Sequence, residues 1–143
     1  MDKEINEKIM VKTTINENVK EVWEYWTKPE HITKWNRASD DWCTLFAEND
    51  LTAGGKFLYR MEAKDKSDGF DFTGTYSEVI PLKRIAYTLD DGRKVNITFI
   101  PTDNQTEIIE TFEGEKLYSF EHQQQGWQSI LDHFKEYTEI SSR

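Results

Sequence analysis

The stretch QQQGWQSILDHF, residues 123–134, lies inside the one long helical pattern of this chain, which runs from about Ser119, its candidate N-cap, to Ile140. Its apolar side chains recur at helical spacing and predict one buried stripe. They are Phe120, Trp127, Ile130, Leu131, Phe134 and Tyr137. Gly126 interrupts the stripe at a cost of about 0.5–1 kcal/mol relative to alanine. The bulky Trp127 follows directly, and this pairing of a small and a large residue calls for an explanation.

We expect Gly126 to let the helix backbone approach a sheet closely. Trp127 then has two interpretations: it is a packing residue at this contact, or it forms one wall of a cavity between helix and sheet. Aromatic side chains that fill a core and those that line a cavity give the same sequence pattern. Under the close-approach hypothesis, Gly126→Leu overpacks the contact, which typically costs about 1–3 kcal/mol.

Outside this helix, apolar and polar residues alternate with the period of two that is typical of half-buried strands. Strands are predicted at residues 8–15, 56–63, 70–80, 84–89, 94–100 and 106–112. Turn signals such as Asp90-Asp91-Gly92 separate them, and residues 36–44 are predicted to be a loop. Because the connections are short, we expect a twisted antiparallel sheet of about seven strands with one face exposed to water.

Two short helices are predicted after the first strand. Asn16 or Asn18 caps the first, in which four apolar residues follow helical spacing. Thr27 is predicted to cap the second, which has Pro29 in its first turn and carries Trp35. No linker, repeat or low-complexity tract divides the chain, so we expect a single α+β domain over residues 1–143.

The composition excludes several classes of partner. The 143 residues carry a net charge of -9, which argues against nucleic acid and against anionic membrane surfaces. The N-terminal MDKEINEKIM lacks the apolar run of a signal peptide, and nowhere do about 18 apolar residues run together. We therefore expect a soluble cytoplasmic protein without membrane insertion, whose partner is a neutral ligand or a basic protein surface.

No motif for catalysis or for a cofactor is present in the sequence. Cys43 is the only cysteine, and His31 stands alone. His122 and His133 are eleven positions apart, too far along a helix to bind one metal ion. His122 is the best acid–base candidate, although a histidine at this position more often serves as a cap. The sequence thus predicts no cofactor and no metal, and it identifies no catalytic residue.

Four segments carry a resemblance to a known family: VKEVWEYWTKPEHITKWN (19–36), AGGKFLYRME (53–62), FDFTGTYSEVIPLKRIAYTLDDG (70–92) and HQQQGWQSILDHFKEY (122–137). In this order they resemble the SRPBCC superfamily, which is START-like and has the helix-grip fold. Within it they resemble the branch named after the activator of the ninety-kilodalton heat-shock protein's ATPase. The resemblance implies a curved antiparallel sheet wrapped around the C-terminal helix, with a deep cavity between them.

The resemblance also implies which residues would bind a ligand. Trp35 and the loop 39–42 would flank the mouth of the cavity, and inward side chains of the strands and of the helix would line it. The alternation of the strands selects the same inward faces independently. The predicted ligand-binding residues are Trp35, Trp42, Phe57, Tyr59, Phe72, Tyr76, Tyr87, Phe99, Glu110, Trp127, Leu131 and Phe134.

Glu110 departs from the family pattern, which usually has an apolar residue at this inward position. If Ile108 and Phe112 face inward, Glu110 does too, and a lone buried carboxylate is costly. Glu78 raises the same question on its own strand. Either a bulge or a strand end turns both side chains outward, or Glu110 is a polar anchor that orients a ligand.

Three functions are compatible with this family. The first is binding of a small apolar or lipid-like molecule, which we take as the main prediction. The second is a co-chaperone-like domain whose partner is a chaperone or another protein, and the third is an enzyme of cyclase or hydrolase type. A cavity with only tyrosine hydroxyls favours binding, and a filled core with an exposed apolar patch favours a protein partner. A perturbed Glu110 or His122 beside an open pocket favours catalysis.

Overall fold

The structure, a computed structural model, describes residues 8–141. Residues 1–7, where the sequence predicts no signal peptide, and residues 142 and 143 lie outside this range. Between residues 8 and 141 the elements are β1 (Lys8–Ile15), α1 (Val19–Thr27), α2 (Pro29–Trp35), β2 (Trp42–Asn49), β3 (Lys56–Ala63), β4 (Gly69–Ile80), β5 (Arg84–Leu89), β6 (Lys94–Thr102), β7 (Gln105–Glu113) and α3 (Phe120–Ser141).

The strands form one antiparallel sheet in the order β1-β7-β6-β5-β4-β3-β2. Consecutive strands from β2 to β7 are neighbours, so the chain turns back after each strand, and β1 joins the far side beside β7. The sheet curls around α3. In sequence, α1 and α2 connect β1 to β2, which are the two edge strands. The predicted α+β class, antiparallel sheet and long C-terminal helix are confirmed.

The loop predicted for residues 36–44 ends earlier than expected, and this part of the prediction is wrong. Strand β2 begins at Trp42, which lies opposite Ala63 of β3. The register shifts between Thr44 and Phe46, where a bulge inserts one residue. The bulge breaks the alternation of apolar and polar side chains, which explains why the sequence pattern hides this strand.

Two predicted helix caps are confirmed. The Asn18 side chain accepts a hydrogen bond from the backbone N–H of Glu21 at 3.1 Å, at the start of α1. The Ser119 hydroxyl accepts from the backbone N–H of His122 at 3.1 Å, at the start of α3. Each bond satisfies one of the backbone donors that a helix N-terminus leaves free.

The predicted cap of α2 is wrong. Thr27 is the last residue of α1, and its hydroxyl donates to the carbonyl of Trp23 at 2.8 Å. Lys28 occupies the N-cap of α2 and makes no side-chain capping bond, while Pro29 begins the helix as predicted. Proline has no backbone N–H, so the first helical position has no donor for a cap to bind, and the helix starts there without a polar cap.

Helix α3 lies along the free edge of β1. Its side chains donate to the carbonyls of alternate β1 residues. The bonds are Gln124 to Met10 at 3.1 Å, Gln128 to Lys12 at 3.2 Å and Lys135 to Thr14 at 2.7 Å. This edge strand is therefore hydrogen-bonded on both sides, to β7 and to the helix.

The core lies beneath α3 on the side of β1, β6 and β7. Its fully or almost fully buried side chains are mostly aliphatic. They include Ile9, Val11, Ile15, Val95, Ile97, Phe99, Ile108, Phe112, Leu131 and Phe134. Burying one such side chain contributes about 1.5–3 kcal/mol, so this cluster accounts for a large part of the driving force for folding.

The close approach expected at Gly126 does not occur, and that prediction is wrong. A Cβ added at Gly126 would meet nothing within 4 Å apart from the helix's own backbone. Trp127 faces the sheet, and consecutive helical residues point about 100° apart, so Gly126 lies on the flank of the helix. A tight contact at a glycine occurs within the sheet, at Gly74 of β4, where a Cβ would lie 2.8 Å from the Phe57 ring of β3 and 2.8 Å from the Thr88 carbonyl of β5.

Candidate functional site

A cavity of about 250 Å³ lies between α3 and the inner face of the sheet. The strands, the helices α1 and α2, and α3 all contribute to its lining. Phe70, Arg93 and Glu115 belong to its rim, and Phe70 is 48% exposed, so the cavity reaches the surface there. These three residues lie at one end of the sheet, where β4 begins, β5 turns into β6 and β7 leads into α3.

Aromatic side chains of β3, β4 and β5 form the sheet wall of this cavity: Tyr59, Phe72, Tyr76 and Tyr87. Phe57 lies behind them, with its ring centroid 5.0 Å from that of Tyr59 and 4.8 Å from that of Tyr87. Gly74 leaves the space that the Phe57 ring occupies. Tilted and edge-to-face contacts of this kind hold the rings in place without filling the space in front of them.

Trp127 forms the helix wall. Its ring stacks on Phe112 of β7 with centroids 3.8 Å apart and an interplanar angle of 12°. It also meets Phe72 of β4 edge to face at 6.4 Å. One side chain of α3 therefore touches two strands on opposite sides of the cavity.

The third wall comes from α1 and α2. The rings of Trp26 and Trp35 lie 4.9 Å apart, and both meet Phe134 of α3 edge to face. The indole N–H of Trp35 donates to the carbonyl of Tyr25 at 3.0 Å, so this buried donor has a partner. The wall is thus mainly aromatic, with Thr27 and Asn36 adding polar groups to the lining.

Three tyrosine hydroxyls bring polarity to the cavity. Burial raises the pKa of Tyr59 and of Tyr87 well above the ordinary value, and it also raises the pKa of Tyr76. For Tyr59 the neighbouring Tyr76 adds to the increase in pKa, and for Tyr87 first Glu110 and then Tyr76 add to it. All three hydroxyls therefore stay protonated at physiological pH. The Tyr59 hydroxyl donates to Tyr76, which leaves the Tyr76 and Tyr87 hydroxyls as donors to a ligand.

Glu110 faces the same cavity from β7 and is only 6% exposed. Its neighbours across the ladder are Val11 of β1 and Ile97 of β6, neither of which can hydrogen-bond to it through a side chain. Within the part of the chain that the structure describes, the carboxyl has no side-chain hydrogen bond and no ion pair. Burial raises the pKa of Glu110 to about 8, so this carboxyl is mainly protonated at pH 7.

The two glutamates that the sequence left undecided differ in position. A bulge between Tyr76 and Glu78 turns Glu78 outward, where its carboxylate lies 2.8 Å from the Nε of Arg84. No such shift occurs in β7, whose register with β6 is regular through Glu110. The outward interpretation is therefore confirmed for Glu78 and wrong for Glu110.

Arg93 at the rim is compensated by acidic neighbours. Its Nε lies 2.9 Å from the Asp91 carboxylate, and its Nη1 lies 3.6 Å from the Glu115 carboxylate. The Arg93 side chain is mostly buried, which strengthens these pairs relative to exposed ones. The rim is thus close to charge-balanced rather than basic.

The twelve predicted site residues fall into three groups. Seven of them line the cavity: Trp35, Tyr59, Phe72, Tyr76, Tyr87, Glu110 and Trp127. Four are buried in the core without reaching the cavity: Phe57, Phe99, Leu131 and Phe134. Trp42 does neither, since it is half-buried against Phe70 at a ring distance of 5.9 Å. A role of these residues in binding a ligand stays a prediction.

Sequence reasoning missed several lining residues. Met61, Phe70 and Ile130 could have been found, because they share a strand face or a helix stripe with predicted residues. Arg93 and Glu115 lie in connections, where no periodicity indicates the direction of a side chain. Only the sheet topology brings these two together.

The histidines and the cysteine lie outside this cavity. His122 is exposed and stacks on Tyr118, and His133 contacts the carbonyl of Arg37 at 2.7 Å. His31 lies 2.8 Å from the Tyr137 hydroxyl. Among residues 8–141, no three His, Cys, Asp or Glu side chains are grouped so that they could hold a metal ion. Over the same residues, no helix is long and apolar enough to cross a membrane.

Comparison with known proteins agrees with the resemblance seen in the sequence. Residues 16–139 match the family described as Activator of Hsp90 ATPase homolog 1-like protein. The solution structure of an AHSA1-like protein from Aeromonas hydrophila is 42% identical, with a TM-score of 0.89 over 95% of this chain and 94% of that one. A protein from Cytophaga hutchinsonii is 47% identical, with a TM-score of 0.82 over 94% of each chain.

A more distant structure supports the fold alone. The crystal structure of a protein from Nitrosomonas europaea is 21% identical, with a TM-score of 0.83 over 94% of this chain and 96% of that one. No curated protein sequence matches this chain.

Proposed function

This chain belongs to the family of Activator of Hsp90 ATPase homolog 1-like proteins, and we propose that it binds a small, largely apolar molecule between α3 and the sheet. The observation that carries this proposal is the cavity of about 250 Å³ with aromatic walls and a few converging polar groups. Ligand pockets in proteins have this composition.

The size of the cavity limits the ligand. Pockets for drug-sized molecules span about 300–1,000 Å³, so the present cavity suits a smaller body, such as two fused rings or a short branched chain. Affinity would come from apolar surface removed from water, at roughly 25 cal/mol per Å². The hydroxyls of Tyr76 and Tyr87 would orient the ligand by hydrogen bonds.

Thermal shift tests the proposal. The purified protein is melted with panels of fatty acids, sterols, flavonoids, polyketides, short acyl compounds and small aromatic amines and alcohols. A ligand at about 100 times its Kd adds about 2.7 kcal/mol to the unfolding free energy. For a domain of this size, that is a shift of several degrees. A flat response across all classes would contradict ligand binding.

A matched pair of variants shows whether the cavity is the binding site. Ile130→Trp places a large ring at a residue that lines the cavity, and Ile140→Trp places the same ring at an exposed position of the same helix. We expect the first variant to lose the ligand-induced shift and the second to keep it. Equal shifts in both variants would locate the ligand elsewhere.

Acid–base catalysis is a second candidate function, favoured by Glu110. A buried carboxyl with a raised pKa inside a pocket is typical of catalytic groups. Conversion of any ligand from the thermal-shift panel is followed by mass spectrometry in the wild type and in Glu110→Gln. Conversion by the wild type alone, with binding retained in the variant, would support an enzyme.

The co-chaperone alternative has less support from the structure. The expected sign of a protein partner was a filled interior with an exposed apolar patch, whereas the interior holds an open cavity. A pull-down with the purified protein tests whether a chaperone binds to it. If an added ligand releases the chaperone, protein binding and ligand binding are linked. A cytoplasmic location stays a prediction from the composition.

A further inference from the structure

Glu110 has a property that binding of a neutral apolar molecule does not explain. Its carboxyl is almost fully buried, borders the cavity, and has no hydrogen-bond or ion-pair partner among residues 8–141. A buried carboxyl without a partner costs stability, and an apolar residue between Ile108 and Phe112 would avoid that cost. This cost in stability indicates that a group outside the chain pairs with the carboxyl.

Hydrogen-bond donation alone does not require a glutamate at this position. Tyr76 and Tyr87 already provide two protonated hydroxyls in the same cavity, beside the Tyr59 hydroxyl that donates to Tyr76. A ligand carbonyl could be bound by these donors. What Glu110 adds is a group that can become negatively charged, and the partner that benefits from this is a cation.

The walls around Glu110 suit a cation as well. The rings of Tyr59, Phe72, Tyr76, Tyr87 and Trp127 surround the cavity. Aromatic faces attract an ammonium group, and the attraction grows when water is excluded. Aromatic cages of this kind bind alkylammonium groups.

No positive charge of the chain competes for Glu110. Arg93 is the one cationic side chain that lines the cavity within residues 8–141, and it is paired with Asp91 and Glu115. Opposite Glu110 on the neighbouring strands are Val11 and Ile97, and α3 presents Trp127 and Ile130 to the cavity. From β5, the neutral Tyr87 hydroxyl is the titratable group that interacts electrostatically with Glu110. The net charge of -9 attracts cations and disfavours anions such as fatty acids.

We propose that the ligand is a small lipophilic amine, whose ammonium pairs with Glu110 while its apolar body packs against the aromatic walls. This inference rests on the proposed function, because it names the chemical class of the molecule in that same cavity. The amine enters as a monocation, and the proton of Glu110 leaves to the solvent when the ion pair forms. No covalent bond forms or breaks in the ligand.

The energetic cost of ionising Glu110 is small enough for a ligand to offset. The pKa of about 8 lies one unit above neutral pH, so ionisation at pH 7 weakens binding by about tenfold. A buried ion pair with an ammonium, supported by cation–π contacts, can exceed that factor. Each bound amine should therefore release nearly one proton at pH 7.

Three probes with one aromatic body test the charge preference: 2-naphthylmethylamine, 2-naphthylmethanol and 2-naphthoate. Their Kd values are measured by isothermal titration calorimetry at pH 7 with the full chain. We expect the amine to bind at least tenfold more tightly than the alcohol, and the carboxylate to bind most weakly. Titrations in buffers of different ionisation enthalpy count the protons released.

Two variants locate the effect. Glu110→Gln keeps the shape of the protonated side chain and cannot ionise, so we expect it to lose the preference for the amine and the proton release. Its binding of the alcohol should change by less than about threefold. Glu107→Gln, on the outer face of the same strand and outside the cavity, is the control and should keep the preference. The proton count in the wild type tests the inference even if a variant fails to fold.

Several results would overturn this inference. They are equal or tighter binding of the alcohol, a preference for the amine that survives in Glu110→Gln, binding of the amine without proton release, and failure of all three probes to bind. Tight binding of the alcohol alone would reject the amine and leave ligand binding in the cavity intact. A flat thermal-shift panel together with three silent probes would reject both proposals.

Discussion

The inner face of the sheet has two halves that solve the same problem differently. In the packed half, formed by β1, β6 and β7, buried aliphatic side chains lie beneath α1, which contacts β6 and β7, and beneath α3, which runs along β1. In the aromatic half, formed by β3, β4 and β5, the helix backbone makes no comparable approach to the strands. Rings from the sheet and Trp127 from the helix extend across the larger distance instead.

The comparison shows how one sheet can support both a core and a cavity. Aliphatic side chains are short, so they fill space only where two backbones come close. Aromatic rings are long and rigid, and their mutual contacts hold them upright around an empty volume. Glu110 lies at the boundary, on a strand of the packed half but with its carboxyl in the cavity.

The largest effect is expected from removing a ring in the packed half. Phe134 is 0% exposed and contacts both Trp26 and Trp35. Phe134→Ala should lower the unfolding free energy by about 3–5 kcal/mol, because it leaves a cavity that its neighbours cannot fill. Urea denaturation measures the loss, with Tyr59→Phe in the aromatic half as the comparison. A loss below about 1 kcal/mol for Phe134→Ala would mean that this half is not close-packed.

The second effect concerns pH and the boundary residue Glu110. Its pKa rises from the ordinary value of 4.5 to about 8 on folding, so the unfolded chain binds fewer protons between these two values. Stability of the wild type therefore falls as pH rises through this window, by up to about 1.4 kcal/mol per pH unit, and is constant with respect to this group outside it.

Glu110→Gln removes this dependence. We expect the variant and the wild type to have similar stability near pH 4, and the variant to gain an increasing advantage up to about pH 8. Urea denaturation of both proteins at several pH values measures the difference and cancels the effects of the other charges. Parallel stability profiles would show that the Glu110 carboxyl is solvated.

Gly74 of β4 and Gly126 of α3 give the third comparison. Gly74 lies in the aromatic half, where an added Cβ would collide with the Phe57 ring and with the Thr88 carbonyl. The carbonyl belongs to the backbone and cannot move aside easily. Gly74→Ala should therefore destabilise the protein by about 1–3 kcal/mol. A melting temperature equal to that of the wild type would show that the Phe57 ring is mobile.

The smallest effect is expected at Gly126, with the opposite sign. A Cβ there meets open space, so Gly126→Ala should stabilise α3 by about 0.5–1 kcal/mol, the difference in helix propensity. Thermal melting of the variant beside Gly74→Ala measures the contrast. A loss of stability would instead support the close contact that the sequence suggested at this position.

The sequence predicted the elements well where one period persisted over a whole segment. The alternation in KVNITFI and the helical stripe around Leu131 identified β6 and α3 with the correct inward faces. The bulge after Thr44 interrupted the period and hid β2. A single inserted residue reverses the direction of every side chain that follows, so a short strand with a bulge has no detectable alternation.

The candidate site was less predictable than the fold. Phe57 and Tyr59 share one strand face, yet the first is buried behind the wall and the second forms it. Alternation identifies the inward side but contains no information about the distance to the opposite element. That distance depends on the position of α3, which its contacts with β1 help to determine and which no strand pattern contains.

Those contacts between α3 and β1 have a further consequence, because they match the repeat of a strand to the repeat of a helix. Two residues of β1 advance by about 6.6 Å and four residues of α3 by about 6.0 Å, so Gln124 and Gln128 meet successive outward carbonyls of the strand. The helix acts as a substitute strand along an edge that would otherwise be open to pairing with another chain. The hydrogen bonds to the strand also fix the position of α3 along its own axis. Deleting one residue before Gln128 would rotate this side chain away from the strand by about 100°.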